Sequence, residues 1–381
     1  MNNLKICCLL FFLISCGKSE GNKPPDAIVS TFPSDTAGDS KRFVALFYFS
    51  GFGETLFANQ ALSPSGDAWI SKGQIPQYSP PGFVCFWGKP KWAATHGDGT
   101  IKNNYRFYYG NDPSRTNDSL LDYHAEMITQ AGVDLIVLDF TNGGNDFANG
   151  PTYVSATTAL CNRWQQRLKQ GLPIPKICFF VRNEAALSVI EEKYFTKYNS
   201  DLFFNYLDKK LLLVAKPNND LGEGDAAQIP VPTNGKFINY TTRHCWGLNN
   251  NASCWQFKVN ADVPPPAFSY NGKPEQMCAP VSTQASYLTM DGVNVTMGAQ
   301  GRQGGAYFKK YMLAATKARV KFVFIHSWNE WHALNVGPSQ SSPYYVDQWN
   351  TEYSSDIEPM NGGHSDKYYQ LMKEEIAKFK Q

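Results

Sequence analysis

The chain predicts an α/β fold built on a parallel sheet, and three observations predict it. Short apolar runs rich in β-branched and aromatic residues recur along the sequence, stretches with helical spacing separate them, and no repeat of solenoid length is present. Continuous apolar runs suit strands covered on both faces, the condition of a parallel sheet. Eight candidate strands suffice to close a (β/α)8 barrel. A doubly wound open sheet satisfies the same pattern.

The elements follow in order. Lys5 precedes an apolar run, Ile6 to Ile14, that is too short to span a bilayer, and Leu13-Ile-Ser-Cys16 then has the pattern of a lipoprotein cleavage site. Residues 1–15 therefore read as a leader and Cys16 as the lipidated thiol. Residues 16–41 are rich in Gly, Pro, Ser, Asp and Lys and read as a flexible tether. Residues 42–381 suit one barrel with elaborated loops, without a second domain. Its strands are expected at Phe43 to Phe49, Leu135 to Asp139, Ile177 to Val181, Leu211 to Val214, Phe237 to Tyr240 and Phe322 to His326, with weaker ones around Trp255 to Val259 and Glu275 to Val281. Helices are expected at Leu120 to Gln130, Val154 to Lys169, Glu184 to Tyr198, Tyr307 to Lys317 and Asp366 to Lys378. The first puts Leu120, His124, Met127 and Ile128 on one face, and Gly132 ends it before the next strand.

Composition excludes some classes. The net charge is +2 and no basic run occurs, so a nucleic-acid partner is not expected. Nine Trp and twenty Tyr, several in predicted loops, suit stacking on a neutral polymer instead. Cys178 lies in an apolar run and reads as a buried thiol, whereas Cys245 and Cys254 flank a polar loop and can close a disulfide in an oxidising compartment. No repeated Cys-x-x-Cys and no His-Glu-x-x-His occurs, so neither a metal nor a cofactor is expected. The glycine-rich stretch from Gly298 to Gly305 fits neither phosphate-binding pattern and reads as a loop before a helix, with Arg302 placed to reach the pocket.

The most informative segment runs from Val323 to Trp331, Val-Phe-Ile-His-Ser-Trp-Asn-Glu-Trp. A buried strand that ends abruptly in polar and aromatic residues delivers them to the carboxyl end of a sheet, where ligands bind in such folds. Ser327, Trp328, Asn329, Glu330 and Trp331 are thus expected at the pocket mouth. Asp139 and Glu184 also follow apolar strands, and Asp139 ranks first of the two. His326 reads as a core histidine and His332 as a donor beside Glu330. The polar block from Asp356 to Met360, with Gly362-Gly-His364, reads as a loop bordering the pocket.

Ser327-Trp-Asn-Glu-Trp331 resembles the Asn-Glu-Trp motif near the last barrel strand of the clan containing glycoside hydrolase families 71 and 99. Four other blocks carry the same resemblance: Tyr108 to Pro113, Ala131 to Asn142, Lys273 to Gln276, and Asp356 to Met360 with Gly362 to His364. The resemblance spans most of the chain after Lys41. It implies the barrel in place of the open sheet, hydrolysis of a polysaccharide or oligosaccharide glycan, and the base role for Glu330. In endo-α-mannosidase-like members a second glutamate, the acid, follows three positions later, but this chain has Ala333 there. The acid is therefore unassigned, and a glycan-binding lipoprotein on a degenerate barrel is the alternative.

Hydrolysis of a glycosidic bond commonly uses two carboxyl groups, so Glu330, Asp139 and Glu184 are the catalytic candidates. The expected sugar-holding residues are Tyr108, Tyr109, Asn142, Arg243, Trp246, Trp328, Asn329, Trp331 and His332, with Trp87 and Trp92 walling the cleft and Arg106 nearby. The expected location is the bacterial cell envelope, with the lipid on Cys16 as the membrane contact.

Overall fold

The computed structural model describes residues 41–50, 118–141, 152–215, 235–246, 252–259, 261–283, 299–330, 352–353, 355–359 and 364–381. Its principal strands are β1 (Phe43–Tyr48), β2 (Leu135–Phe140), β3 (Lys176–Val181), β4 (Lys209–Ala215), β5 (Thr241–Trp246), β6 (Trp255–Gln256), β7 (Lys273–Pro280) and β8 (Phe322–His326). Consecutive strands from β1 to β6 pair in parallel, β7 pairs in parallel with β8, and β8 returns in parallel to β1. Two short strands, Asn205–Tyr206 and Phe268–Tyr270, lie antiparallel to β4 and β7.

Side chains close the seam between β6 and β7. The Gln276 amide accepts from Gln256 N and donates to Gln256 O, both at 2.8 Å, while Gln256 Oε1 accepts from Cys278 N at 3.0 Å. A carboxamide carries a donor and an acceptor in one plane, as a peptide does, so glutamine can substitute for a ladder partner. The sheet is therefore a (β/α)8-type barrel and not an open doubly wound sheet.

The helices are α1 (Asp118–Gln130), α2 (Thr152–Lys169), α3 (Glu184–Ile190), α4 (Ala306–Ala318) and α5 (Lys367–Phe379). Leu120, Leu121, His124, Ala125 and Ile128 form the buried face of α1. Its carbonyls are closed off by Gly132 at φ 84°, a conformation costly for any residue with a Cβ. Asn183 caps α3 by accepting from Ala186 N at 3.0 Å. The α-helix expected to run to Tyr198 ends at Ile190 and passes into a π turn, Glu191–Phe195.

One expected strand is displaced. Phe237 to Tyr240 lies in a 3-10 turn, Gly235–Asn239, and the strand follows at Thr241–Trp246. Its sequence, Thr-Thr-Arg-His-Cys-Trp, hides a buried position behind a charged residue, because Arg243 is neutralised inside the fold. The Cys245–Cys254 disulfide is also not formed, since Cys245 carries a free, buried thiol.

Rings fill the lumen in two layers. At the amino ends of the strands Phe43, Tyr206, Trp255 and Phe322 meet with centroids 4.9–5.1 Å apart. Toward the carboxyl ends Phe257 lies between Phe47, Phe180, Phe324 and His326, at 4.7–5.7 Å. Phe43 and Phe322 are register partners on neighbouring strands, whereas Trp255 from β6 and Phe257 just after it meet rings of β8 and β1 across the barrel. The second layer is the floor beneath the candidate site.

Candidate active site

The segment after β8 is gripped from two sides. On the β1 side, Trp328 N donates to Phe47 O at 2.8 Å, and Asn329 accepts from Phe49 N at 2.8 Å while donating to Phe49 O at 3.2 Å. On the other side Ser327 N donates to Ser355 O at 3.2 Å, Ile357 N approaches Ser327 O and Trp328 O at 3.1 and 3.0 Å, and Glu358 N donates to Trp328 O at 2.9 Å. Within the turn, Glu330 N donates to Ser327 Oγ at 3.3 Å. The backbone carrying Glu330 is thus fixed before its side chain is considered.

The Glu330 carboxylate is 8% exposed as a residue and sits 3.2 Å, through Oε2, from His326 Nε2. His326 is buried, with Phe47 and Phe257 rings at 4.8 and 4.7 Å. Burial, aided by the charge of Lys258, holds its pKa well below the ordinary histidine value. Burial therefore favours the uncharged ring beside Glu330. Nδ1 of His326 is buried without a hydrogen-bond partner.

Asp139, near the end of β2, stands in register with Phe180 of the ring floor. It retains some exposed surface, yet it sits deep enough that burial raises its pKa above the ordinary aspartate value; hydrogen bonds from the Thr141 amide and hydroxyl pull the other way. The amide contact is 2.7 Å long, to Oδ1. Asp139, its pKa raised by burial, thus lies near the carboxyl end of β2, and Glu330 follows the carboxyl end of β8.

The other expected residues divide. Glu184 is exposed, and its Oε1 accepts from Lys236 N at 3.3 Å. A Cβ on Gly235 would lie 1.8 Å from that oxygen, so Glu184 packs closely against the 3-10 turn before β5. Arg243 is buried, makes two 2.7 Å bonds to Glu275 and lies 3.7 Å over the Tyr270 ring. Tyr206 and Trp255, from the amino-end layer, share the Glu275 carboxylate at 3.0 and 2.9 Å, which puts Arg243 away from the mouth.

Trp328 is fully buried between His124 and Tyr369, and Asn329 is fully buried on Phe49, so both support the site and do not line its opening. Trp246 is part-buried at the carboxyl end of β5. Arg302 is buried, donates to Asp356 O at 2.7 Å and lies 4.2 Å over Tyr368, away from the role expected of it. Tyr108, Tyr109, Asn142, Trp331, His332, Arg106, Trp87, Trp92 and Cys16 lie outside the described residues.

Sequence reasoning missed a second polar network. Tyr48 Oη lies 2.8 Å from His124 Nδ1, and His124 Nε2 lies 2.8 Å from Glu358 Oε1, with His124 and Glu358 wholly buried. Of the segment expected to border the pocket, Ile357 and Glu358 therefore support the Glu330 turn from inside. The available signal was a histidine on the apolar face of α1 and an acid beside an isoleucine and a proline. Among the described residues no group of three or more His, Cys, Asp or Glu side chains is arranged to hold a metal ion.

No protein-family model matches the chain, and no curated protein matches it. Among solved structures it is similar to a family 99 endo-α-mannosidase from Bacteroides thetaiotaomicron in complex with bis-tris-propane, with a TM-score of 0.49 and 13% identity over 89% of this chain and 98% of that one. A second structure of a family 99 endo-α-mannosidase from that organism gives 0.47 and 13% over 90% and 97%. A glycoside hydrolase-like protein gives 0.44 and 11% over 88% and 94%.

Proposed function

We propose that the chain is a glycoside hydrolase of the cell envelope, acting on a polysaccharide or oligosaccharide, with Glu330 as the carboxylate that assists attack and Asp139 as the acid that protonates the departing oxygen. The observation that carries the reading is the mounting of Glu330. A glutamate is held at the carboxyl end of a barrel strand by two flanking segments, nearly buried, with the His326 ring 3.2 Å away. Such preorganisation fixes a reacting group without leaving reorientation to the moment of reaction.

The division of labour follows from environment. Burial favours the neutral form of Asp139, the form an acid needs, while Glu330 is fixed on its turn beside the His326 ring. The motif blocks around Asn329-Glu330 and Asp139 support the same chemistry. One sequence feature favours a binding role without turnover: Ala333 stands where similar enzymes carry their second glutamate.

The test is release of reducing ends from a panel of plant, host and microbial glycans. Glu330→Gln keeps shape and hydrogen-bonding capacity but removes the charge, so turnover should fall by about a hundredfold or more, with little change in stability. Asp139→Asn should lose activity most on substrates with poor leaving groups. Binding to a panel glycan without any reducing-end release by the parent chain would establish the binding role instead. For the envelope location, Cys16→Ser should abolish lipid labelling, and unchanged labelling would remove that assignment.

A further inference from the structure

One ring of the floor has a face that the packing does not use. Phe47, Phe180, Phe324 and His326 are buried, whereas Phe257, which they surround at 4.7–5.7 Å, keeps exposed surface. Its backbone does not account for that surface. Phe257 N donates to Trp246 O at 2.9 Å, Phe257 O accepts from the Cys278 thiol at 3.0 Å, and the flanking Gln256 and Lys258 are both buried. The open part is therefore the ring. Its mount is firm as well, since Gln256 is clasped to β7 and Lys258 donates through Nζ to Ser355 Oγ at 3.1 Å.

The layers give the direction of the opening. Beneath Phe257 the amino-end layer places Trp255 and Phe322, both fully buried, and its sides are closed by rings from β1, β3 and β8. It opens toward the carboxyl ends. There Asp139 also keeps exposed surface, and the Glu330 side chain is 11% exposed. Asp139 stands in register with Phe180, whose ring is 5.6 Å from Phe257, and Glu330 lies 3.2 Å from His326, whose ring is 4.7 Å from Phe257. An open hydrocarbon face thus adjoins the supports of both candidate carboxyls.

We propose that Phe257 is the platform of the sugar subsite between Asp139 and Glu330, and that its ring receives the apolar C–H face of a pyranose. A phenyl ring carries no donor or acceptor, so a hydroxyl turned onto it would lose water without gaining a hydrogen bond. C–H bonds suit its electron-rich face. The substrate class is accordingly a ring sugar that lays axial C–H bonds on the floor and points its hydroxyls at the walls. The assignment rests on the glycan reading of the site for its ligand, but its test reads contact with a ring and not turnover.

The test uses the full chain carrying Glu330→Gln, so that no probe is consumed, with isotope-labelled phenylalanine and the Phe257 ring signals assigned by their loss in Phe257→Tyr. The probes are oligosaccharides of glucose, mannose, galactose and xylose, with sorbitol as a polyol that has hydroxyls but no ring face. At least one oligosaccharide should shift the Phe257 signals and show nuclear Overhauser contacts from that ring to sugar C–H protons, and sorbitol should do neither. In the same background Phe257→Leu keeps apolar bulk but loses the flat face, so affinity for that oligosaccharide should fall about three- to tenfold. Phe257→Tyr should stay near the parent, and Phe257→Met replaces the leucine variant should that one not fold. With Glu330 restored, KM should rise by the same factor with a smaller change in kcat, the mark of lost uniform binding. The proposal is overturned if no oligosaccharide moves the Phe257 signals, if one binds and leaves them in place, or if a folded Phe257→Leu or Phe257→Met chain keeps the parent affinity. Contacts on Phe257 without reducing-end release by the parent chain would sink the hydrolytic reading alone, and release with an undisturbed Phe257 would sink the platform alone.

Discussion

Asn329 meets one peptide from both directions, and few side chains can. Its carbonyl accepts from Phe49 N and its amide donates to Phe49 O, so a carboxamide at this reach completes the edge of β1 where no strand residue is available. Asn329→Asp keeps the acceptor but turns an oxygen toward the Phe49 carbonyl, leaving that group unsatisfied and burying a charge. Denaturant unfolding should show a loss of about 1–3 kcal/mol or more, the usual cost of an unmade buried hydrogen bond. A loss below about 0.5 kcal/mol would mean that the clamp holds nothing that matters to stability. The same logic explains why the residue has no surface for a sugar: both polar ends are already engaged with backbone.

At the scale of elements the seam between β6 and β7 is the exposed joint of the architecture. Gln276→Leu preserves volume approximately but strips both bonds from the Gln256 backbone, and two buried polar groups without partners should cost roughly 2–5 kcal/mol. Gln276→Glu should be comparably harmful, because it retains the acceptor and sets a second oxygen against the Gln256 carbonyl. Thermal unfolding of either variant at parent stability would show that the seam needs no such clasp.

The same scale shows what could be read beforehand. β8 was legible because its first four residues form an uninterrupted apolar run and a polar cluster follows from His326. β5 was not, because Arg243 breaks the apolar pattern and only the fold supplies Glu275, thirty-two positions later, to neutralise it. The end of β2 gave Asp139 for the same reason that β8 gave Glu330. Lys258, Ser355 and the Tyr48–His124–Glu358 network were invisible, since their meaning arises where segments 76 to 234 positions apart meet. Glu184 reads two ways, because an acid after a strand is also the first residue of a helix, where the macrodipole welcomes it.

At the scale of the whole molecule, two buried histidines among the described residues have pKa values held below the ordinary one. His326 is held well below the ordinary value by burial and Lys258; His364 is brought down to about 2 by burial and the nearby charge of Arg302, against a hydrogen bond to Ser365 O. Such groups bind protons more readily in the unfolded chain. Their contribution is therefore complete above the unfolded value of 6.5 and is lost progressively as pH falls below it, down toward the folded value. Each can remove up to about 1.4 kcal/mol per pH unit in that range. The melting temperature should accordingly drop between about pH 6.5 and pH 4, and His364→Gln should flatten part of that slope. An unchanged profile in a folded His364→Gln chain would assign the acid response elsewhere.

The double grip on the Glu330 turn also orders events during synthesis. Phe49 and Asn329 are 280 positions apart, and the second grip waits for Ser355 to Glu358. Contacts of such long separation close late, because the entropy of the intervening chain must be overcome first. A ribosome that has released most of the barrel has therefore made Glu330 but not its mount, and a nascent chain stopped before Ser355 would hold the carboxylate on a turn fastened along one edge only. Hydrolytic competence, on this reading, arrives with the final few dozen residues.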